Sequence, residues 1–360
     1  RDPDSDSELA AELLHDYMHG DLHTAFAEDA RDVFYNGIEV NGVRLHLAAI
    51  MGKGDWKYLR QAYRLSTGYI CKDKCHLCED WHVLSKDAIW RTTIANRTTS
   101  PHKTDDVGLL LIPGIRTQTI STDPMHTFHI GWGQDLAASG VILLATVGAF
   151  GEGALDSRLE VAYASFIAYC SAHGKTTSCD RFSKQTFDMT SNNSWPTSLG
   201  GKAYDTSLVL AWLEQHLADM VAIQDAIVDT LRYTVHCANF YFRTSREHGV
   251  FVPHEVRLLV AAAGENMVEG FGILATLAKQ RGLKLFRLRP KIHLSQHQTL
   301  DLLRGEHLAL NTLCMACWQD EDFIGRCSRL ARTCGPQKLT TRCMQKALGM
   351  YKEQFELARR

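Results

Sequence analysis

Apolar residues recur at helical spacing through the middle of the chain. Leu155, Leu159, Ala162, Tyr163, Phe166 and Cys170 fall at steps of one, three and four. Asp156 lies near the start and Gly174 beyond the end, so the pattern predicts a helix between them. The same period returns over 205–221 (Leu208, Trp212, Leu213, Leu217, Met220), over 225–243 and over 255–280. Pro290 opens a further helical stretch, PKIHLSQHQTLDLL, because its fixed φ suits a first turn. Thr176 to Lys202 is polar and reads as a loop. The most apolar run, Leu136 to Phe150, is too short to span a bilayer and contains Ser139 and Thr146, so it reads as a buried helix.

The front of the chain has a different rhythm. Residues 33–40 (VFYNGIEV) and 43–50 (VRLHLAAI) are short β-like runs around Asn41-Gly42, a strong hairpin signal. The second run ends at MGKGD, read as a loop, and Trp56 to Leu65 then reads as a helix. Val107 to Ile112, stopped by Pro113-Gly114, is another strand candidate in the otherwise loop-rich stretch 66–122. The first thirty residues look helical, and the opening RDPDSDSELAAELL reads as an excised start. There is no internal repeat. The predicted class is α/β, predominantly helical.

Composition adds little until it is read locally. Apolar content of 45% and charged content of 22% argue for a globular chain, and a net charge of −2 advertises no polyanion partner. Lys279 to Arg304, however, holds seven Lys/Arg, Lys291 among them, against Asp301 alone. Arg326 to Arg360 holds nine, including Arg326, Arg329 and Arg332, against Glu353 and Glu356. Such basic stretches suit nucleic acid, and solvated helix faces are the bland alternative. Eleven scattered cysteines and no signal sequence make reduced thiols in the nucleus or cytoplasm the simpler expectation, with no membrane partner.

Four segments carry candidate chemistry. In GKGDWKYLRQAY, Asp55 stands between a strand and a helix, where a carboxylate can hold a divalent cation; an ordinary N-cap is the alternative. In CKDKCHLC, Cys75 and Cys78 supply one edge of a tetrahedral zinc site, His76 stands between them, and Cys71 or His82 are candidates for a further ligand. Free structural cysteines remain the other reading. In STDPMHTFHIGWGQDL, Asp123 is placed to cap a helix begun by Pro124, one turn from His126, so that the two touch. In PKIHLSQH, His293 and His297 share a helix face and can present two metal ligands. In ACWQDEDFIGR, Asp320, Glu321 and Asp322 form an acidic trio; three adjacent carboxylates are usually solvated, and with apolar flanks and Gly325 the alternative is that at least one points inward.

The order of these segments, a strand ending in GD, a CHLC turn, a D-x-x-H helix, a K-x-H-x-x-x-H helix and a W-x-x-E-x-x-x-G element, resembles the catalytic half of eukaryotic DDE transposases of the CACTA (En/Spm-like) group and relatives. It is also similar to transposon-derived proteins of dinoflagellate type. The resemblance runs from about Val43 to the C-terminus. It implies a partial RNase H-like mixed sheet with a large α-helical insertion, in four parts: a helical lead-in over 1–30, a core with the cysteine cluster over 31–150, a helical insertion over 151–289 and a helical end with a basic tail over 290–360. It implies Asp55, Asp123, His126 and Glu321 as the catalytic set, with Asp55 and Glu321 as ligands of Mg²⁺ or Mn²⁺. Cys75 and Cys78 match the family's paired cysteines. The first catalytic aspartate of the pattern has no good match, Asp21 being the one cramped candidate. The expectation is therefore a transposase-derived protein, catalytically incomplete, that meets DNA and forms either a monomer or a homo-oligomer. The competing expectations are an active transposase completed by residues outside this chain, and an unrelated zinc-containing helical protein.

Overall fold

The computed structural model describes residues 23–63, 65, 67, 75–78, 108–220, 224–304, 308–333, 345, 346 and 349. The chain forms two compact units, Arg1–Met315 and Ala316–Arg360.

In the first unit, helix α1 (23–36) ends where Gly37 turns into the left-handed region (φ 70°). The antiparallel pair β1 (Ile38–Val40) and β2 (Val43–Leu45) follows. Asn41 and Gly42 both take positive φ, 52° and 77°, as a two-residue hairpin requires. The hairpin is thus where the sequence places it, but it is shorter than read: 33–36 close a helix and 46–50 form no strand.

The stretch read as the loop MGKGD contains a strand, β3 (Gly52–Gly54), followed by α2 (Trp56–Ala62). Strand β4 (Ile120–Thr122) pairs with β3 in parallel, with Gly52 opposite Ile120 and Gly54 opposite Thr122. Tyr58 of α2 and Tyr63 just after it lie close against β3. A Cβ on Gly52 would lie 2.2 Å from the Tyr63 hydroxyl, and one on Gly54 would lie 2.4 Å from the Tyr58 ring. The strand candidate at 107–112 is a correction in the other direction, because Gly108–Leu111 is a 3₁₀ turn with Gly108 at φ 54°. Its Leu109 and Leu110 bury into a small core with Ala27, Leu59 and Ile120.

After β4 the chain becomes the helical body that periodicity predicts. A π-type turn, Met125–Trp132, is broken at Ile130–Gly131 and leads into α3 (Gly133–Thr146). Helices α4 (Leu155–Ala172), α5 (Ala203–Asp219) and α6 (Ala226–Arg246) follow. Next come β5 (Phe251–Pro253), α7 (His254–Gln280), α8 (Lys291–Arg304) and β6 (Leu308–Leu310), the last antiparallel to β5. Helix α3 is buried on nearly every side, as its unbroken apolar run requires. In α4 the buried positions are Leu159, Ala162, Phe166 and Cys170, the stripe read from the sequence. Helix α7 is long and apolar enough to cross a membrane, yet Val260, Met267, Phe271 and Leu274 are buried in the same core as α3 and α6. Helix dominates, and the strands among the described residues form three two-stranded sheets.

One buried carboxylate holds the loop before α5. Asp205 accepts from Ser178 N (2.8 Å), the Ser178 hydroxyl (2.5 Å), the Thr177 hydroxyl (2.7 Å) and Lys202 N (2.7 Å). Burial pushes its pKa up, but these hydrogen bonds outweigh burial and leave it below the usual 3.8. A carboxyl depressed on folding contributes stability above its unfolded pKa and loses it as pH falls through the folded one. In urea titrations, Asp205→Asn is therefore less stable than the parent at neutral pH, and the gap shrinks as pH falls below about 4. A gap independent of pH would contradict this assignment.

The second unit contains α9 (Trp318–Arg332), which has no buried residue. Of the two readings of the acidic trio the solvated one is found: Asp320, Glu321 and Asp322 are all exposed, and Asp322 pairs with Arg326 at 2.7 Å.

Candidate functional site

Two sites meet on α8. The first is a cavity of about 270 Å³ at the carboxyl ends of β3 and β4. Because the strands are parallel and in register, the residue after each strand emerges at the same edge. Those residues are Asp55 and Asp123, and both line the cavity. Asp55 also caps α2, accepting from Tyr58 N at 2.6 Å, so the cap and the candidate ligand are one residue.

Asp123 is almost wholly buried and closely held. Its N–H donates to Gly54 O (3.0 Å), Oδ1 accepts from Met125 N (2.8 Å), and Oδ2 contacts His126 Nδ1. The acid–imidazole contact read from the D-x-x-H spacing is present. The opposite wall is α8, with Lys291 and Leu294. Lys291 reaches across the break in the π-type turn and donates from Nζ to His126 O at 2.7 Å. Gly131 leaves room for that reach, since a Cβ there would lie 2.9 Å from Lys291 Cδ and 2.8 Å from His126 O. Burial lowers the Lys291 pKa, as does Arg289, while Asp55 and Asp123 oppose the shift.

The sequence reading missed Gln298. Its Nε2 donates to Thr122 O (2.7 Å) and lies 3.1 Å from the Thr122 and Thr127 hydroxyls, tying α8 to the end of β4. Its signal was position alone, one residue past His297 on a helix already marked. Arg289, just before α8, pairs with buried Asp135 of α3 at 2.7 Å. Burial pushes Asp135 up to about 7 against the pull of Arg289.

The second site is a buried group of Cys75, Cys78, His293 and His297, whose ligand atoms all lie within 4.8 Å of one another. His297 Nε2 lies 3.3 Å from Cys75 Sγ, 3.3 Å from Cys78 Sγ and 3.1 Å from His293 Nε2. Cys78 Sγ lies 3.2 Å from His293 Nε2. The paired cysteines and the paired histidines, each half a ligand set in the sequence, complete one another. Hydrogen bonds from Cys75 and the two imidazoles favour the Cys78 thiolate, while burial and Cys78 hold the Cys75 thiol up. The turn is anchored by buried His76, whose Nε2 donates to Ile120 O at 3.0 Å. Cys71, His82 and Asp21 lie outside the described residues.

Glu321 and the basic residues Arg326, Arg329 and Arg332 are exposed on α9 in the second unit. Lys291, read as a DNA contact, is a cavity residue of the first unit.

Fold and site together define a mainly helical protein with small sheets and a buried Cys₂His₂ group able to bind a metal such as zinc. Comparison with protein-family models, with curated proteins and with solved structures finds no match.

Proposed function

We propose that this chain is a transposase-derived, RNase H-like protein that holds a divalent cation and DNA phosphate in its cavity but does not cut strands alone. One observation carries the reading: register-paired parallel strands deliver two carboxylates, Asp55 and Asp123, to one edge beside a lysine. Carboxylate oxygens suit Mg²⁺ or Mn²⁺, which keep several waters and bind phosphate through the remaining positions. The Lys291 ammonium adds a point charge for the same phosphate. In-line displacement with two ions needs more oxygen ligands than two carboxylates supply, and no other carboxylate among the described residues lines this cavity. Exposed Arg326, Arg329 and Arg332 would add salt-sensitive contacts to the DNA backbone. Such a protein acts in the nucleus or cytoplasm.

The test is a Mn²⁺ titration of the zinc-loaded chain followed by electron paramagnetic resonance. One ion binds, Asp123→Asn weakens it at least about tenfold, and duplex DNA incubated with Mn²⁺ stays intact. Unchanged Mn²⁺ affinity in both Asp55→Asn and Asp123→Asn would remove the cation site. Mn²⁺-dependent cleavage abolished by Glu321→Gln would replace the incomplete protein with an active transposase.

A further inference from the structure

We propose that Cys75, Cys78, His293 and His297 hold a single zinc ion in a closed four-ligand site, and that this ion is the clasp fixing α8 across the ends of β3 and β4.

The geometry distinguishes a metal site from a hydrogen-bond cluster. His297 Nε2 stands 3.1–3.3 Å from three polar atoms at once, although one ring nitrogen carries a single proton or a single lone pair. A chain of hydrogen bonds does not need that convergence, but a tetrahedron does. With Zn–S near 2.3 Å and Zn–N near 2.0 Å, the edges of a tetrahedral site are roughly 3.5 Å for S···N and 3.3 Å for N···N. The observed 3.2–3.3 Å and 3.1 Å are those edges, slightly contracted. Two thiolates and two imidazoles at tetrahedral spacing select zinc among common divalent ions. All four residues are 2–4% exposed, and four protein ligands leave no open coordination position. The site is therefore structural.

The sequence separation says what the clasp does. Cys78 and His293 are 215 positions apart, so the ion closes a very long loop that an unfolded chain does not hold shut. One end is fixed to β4 through His76 and Ile120 O. The other end is α8, which brings Lys291, Leu294 and Gln298 to the cavity. Leu294 belongs to both places, lining the cavity while packing against Cys75 and Cys78. Without the ion, four ionisable groups face one another in a buried space, and α8 loses its tie to the cysteine turn. Zinc thus governs assembly of the cavity wall, whatever the cavity binds.

The experiment uses the full chain, elemental analysis and hydrogen exchange. The purified protein carries one zinc. A strong chelator speeds amide exchange over 291–304 and 75–78 at least tenfold, leaves α4 and α5 unchanged, and is reversed by added Zn²⁺. Cys75→Ser combined with Cys78→Ser loses the zinc. Should that variant fail to fold, His297→Cys keeps one metal, and its Co²⁺ form shows stronger thiolate charge-transfer absorption than the Co²⁺ parent. The proposal is overturned by a chain that takes up neither zinc nor Co²⁺, by zinc that survives in the double-serine variant, or by α8 exchange indifferent to the metal. None of these readouts involves DNA or Mn²⁺, so this proposal and the preceding one fail separately.

Discussion

Trp132→Ala lowers the free energy of unfolding by about 4 kcal/mol in chemical denaturation, the upper part of the range for deleting a buried large side chain. Trp132 is fully buried at the end of the broken π-type turn. Its indole meets Phe128 edge-on at 4.8 Å and Phe271 of α7 at 5.1 Å, and its Nε1 donates to the Ser295 hydroxyl of α8 at 2.8 Å. Three elements therefore lose a shared partner, and close packing on all sides limits collapse into the void. Trp132→Phe keeps most of the apolar contact but removes the donor to Ser295, and costs about half as much. Trp195, 38% exposed, is the control, and its alanine variant changes stability by roughly 1 kcal/mol at most. Equal costs at the two tryptophans would mean that Trp132 is not the shared partner described.

Gly270→Ala also destabilises, by about 2 kcal/mol, although alanine favours helix over glycine by about 1 kcal/mol. A Cβ on Gly270 would lie 2.2 Å from the Thr234 hydroxyl and 3.2 Å from its Cβ, where α6 and α7 cross. Thr234 is fully buried and donates to Thr230 O at 2.7 Å, so it has nowhere to turn. Thr234→Ala in the same chain relieves the clash. The double variant is then more stable than the sum of the two single changes predicts, by about 1–2 kcal/mol in a double-mutant cycle. Additive effects would show that the two helices are farther apart at this crossing.

The helical body was legible because burial imposes a period on long segments. The stripe Leu159, Ala162, Phe166 and Cys170 needed no partner to be read. The strands that build the cavity were legible only in part. A strand ending before Asp55 was placed, but its glycine-rich residues read as a loop and β4 was not read, for a physical reason. β3 is Gly-Lys-Gly, with Tyr58 and Tyr63 packed against its glycines, so the strand carries no apolar alternation. The leucines at 109–111 show the opposite failure, since a short apolar run does not distinguish a buried strand from a buried 3₁₀ turn. At the site, Asp123 and His126 could be paired because a turn sets their distance. The cysteine and histidine pairs were each visible, yet a separation of 215 positions hid the link. The available signal was stoichiometric: two half-filled tetrahedra in one chain complete each other.

Zinc K-edge absorption of the purified chain tests the clasp most directly. A shell of two sulfurs near 2.3 Å and two nitrogens near 2.0 Å is the expected spectrum. A shell of nitrogen and oxygen alone would contradict the union of the two half-sites and, with it, the placing of α8 beside the paired aspartates.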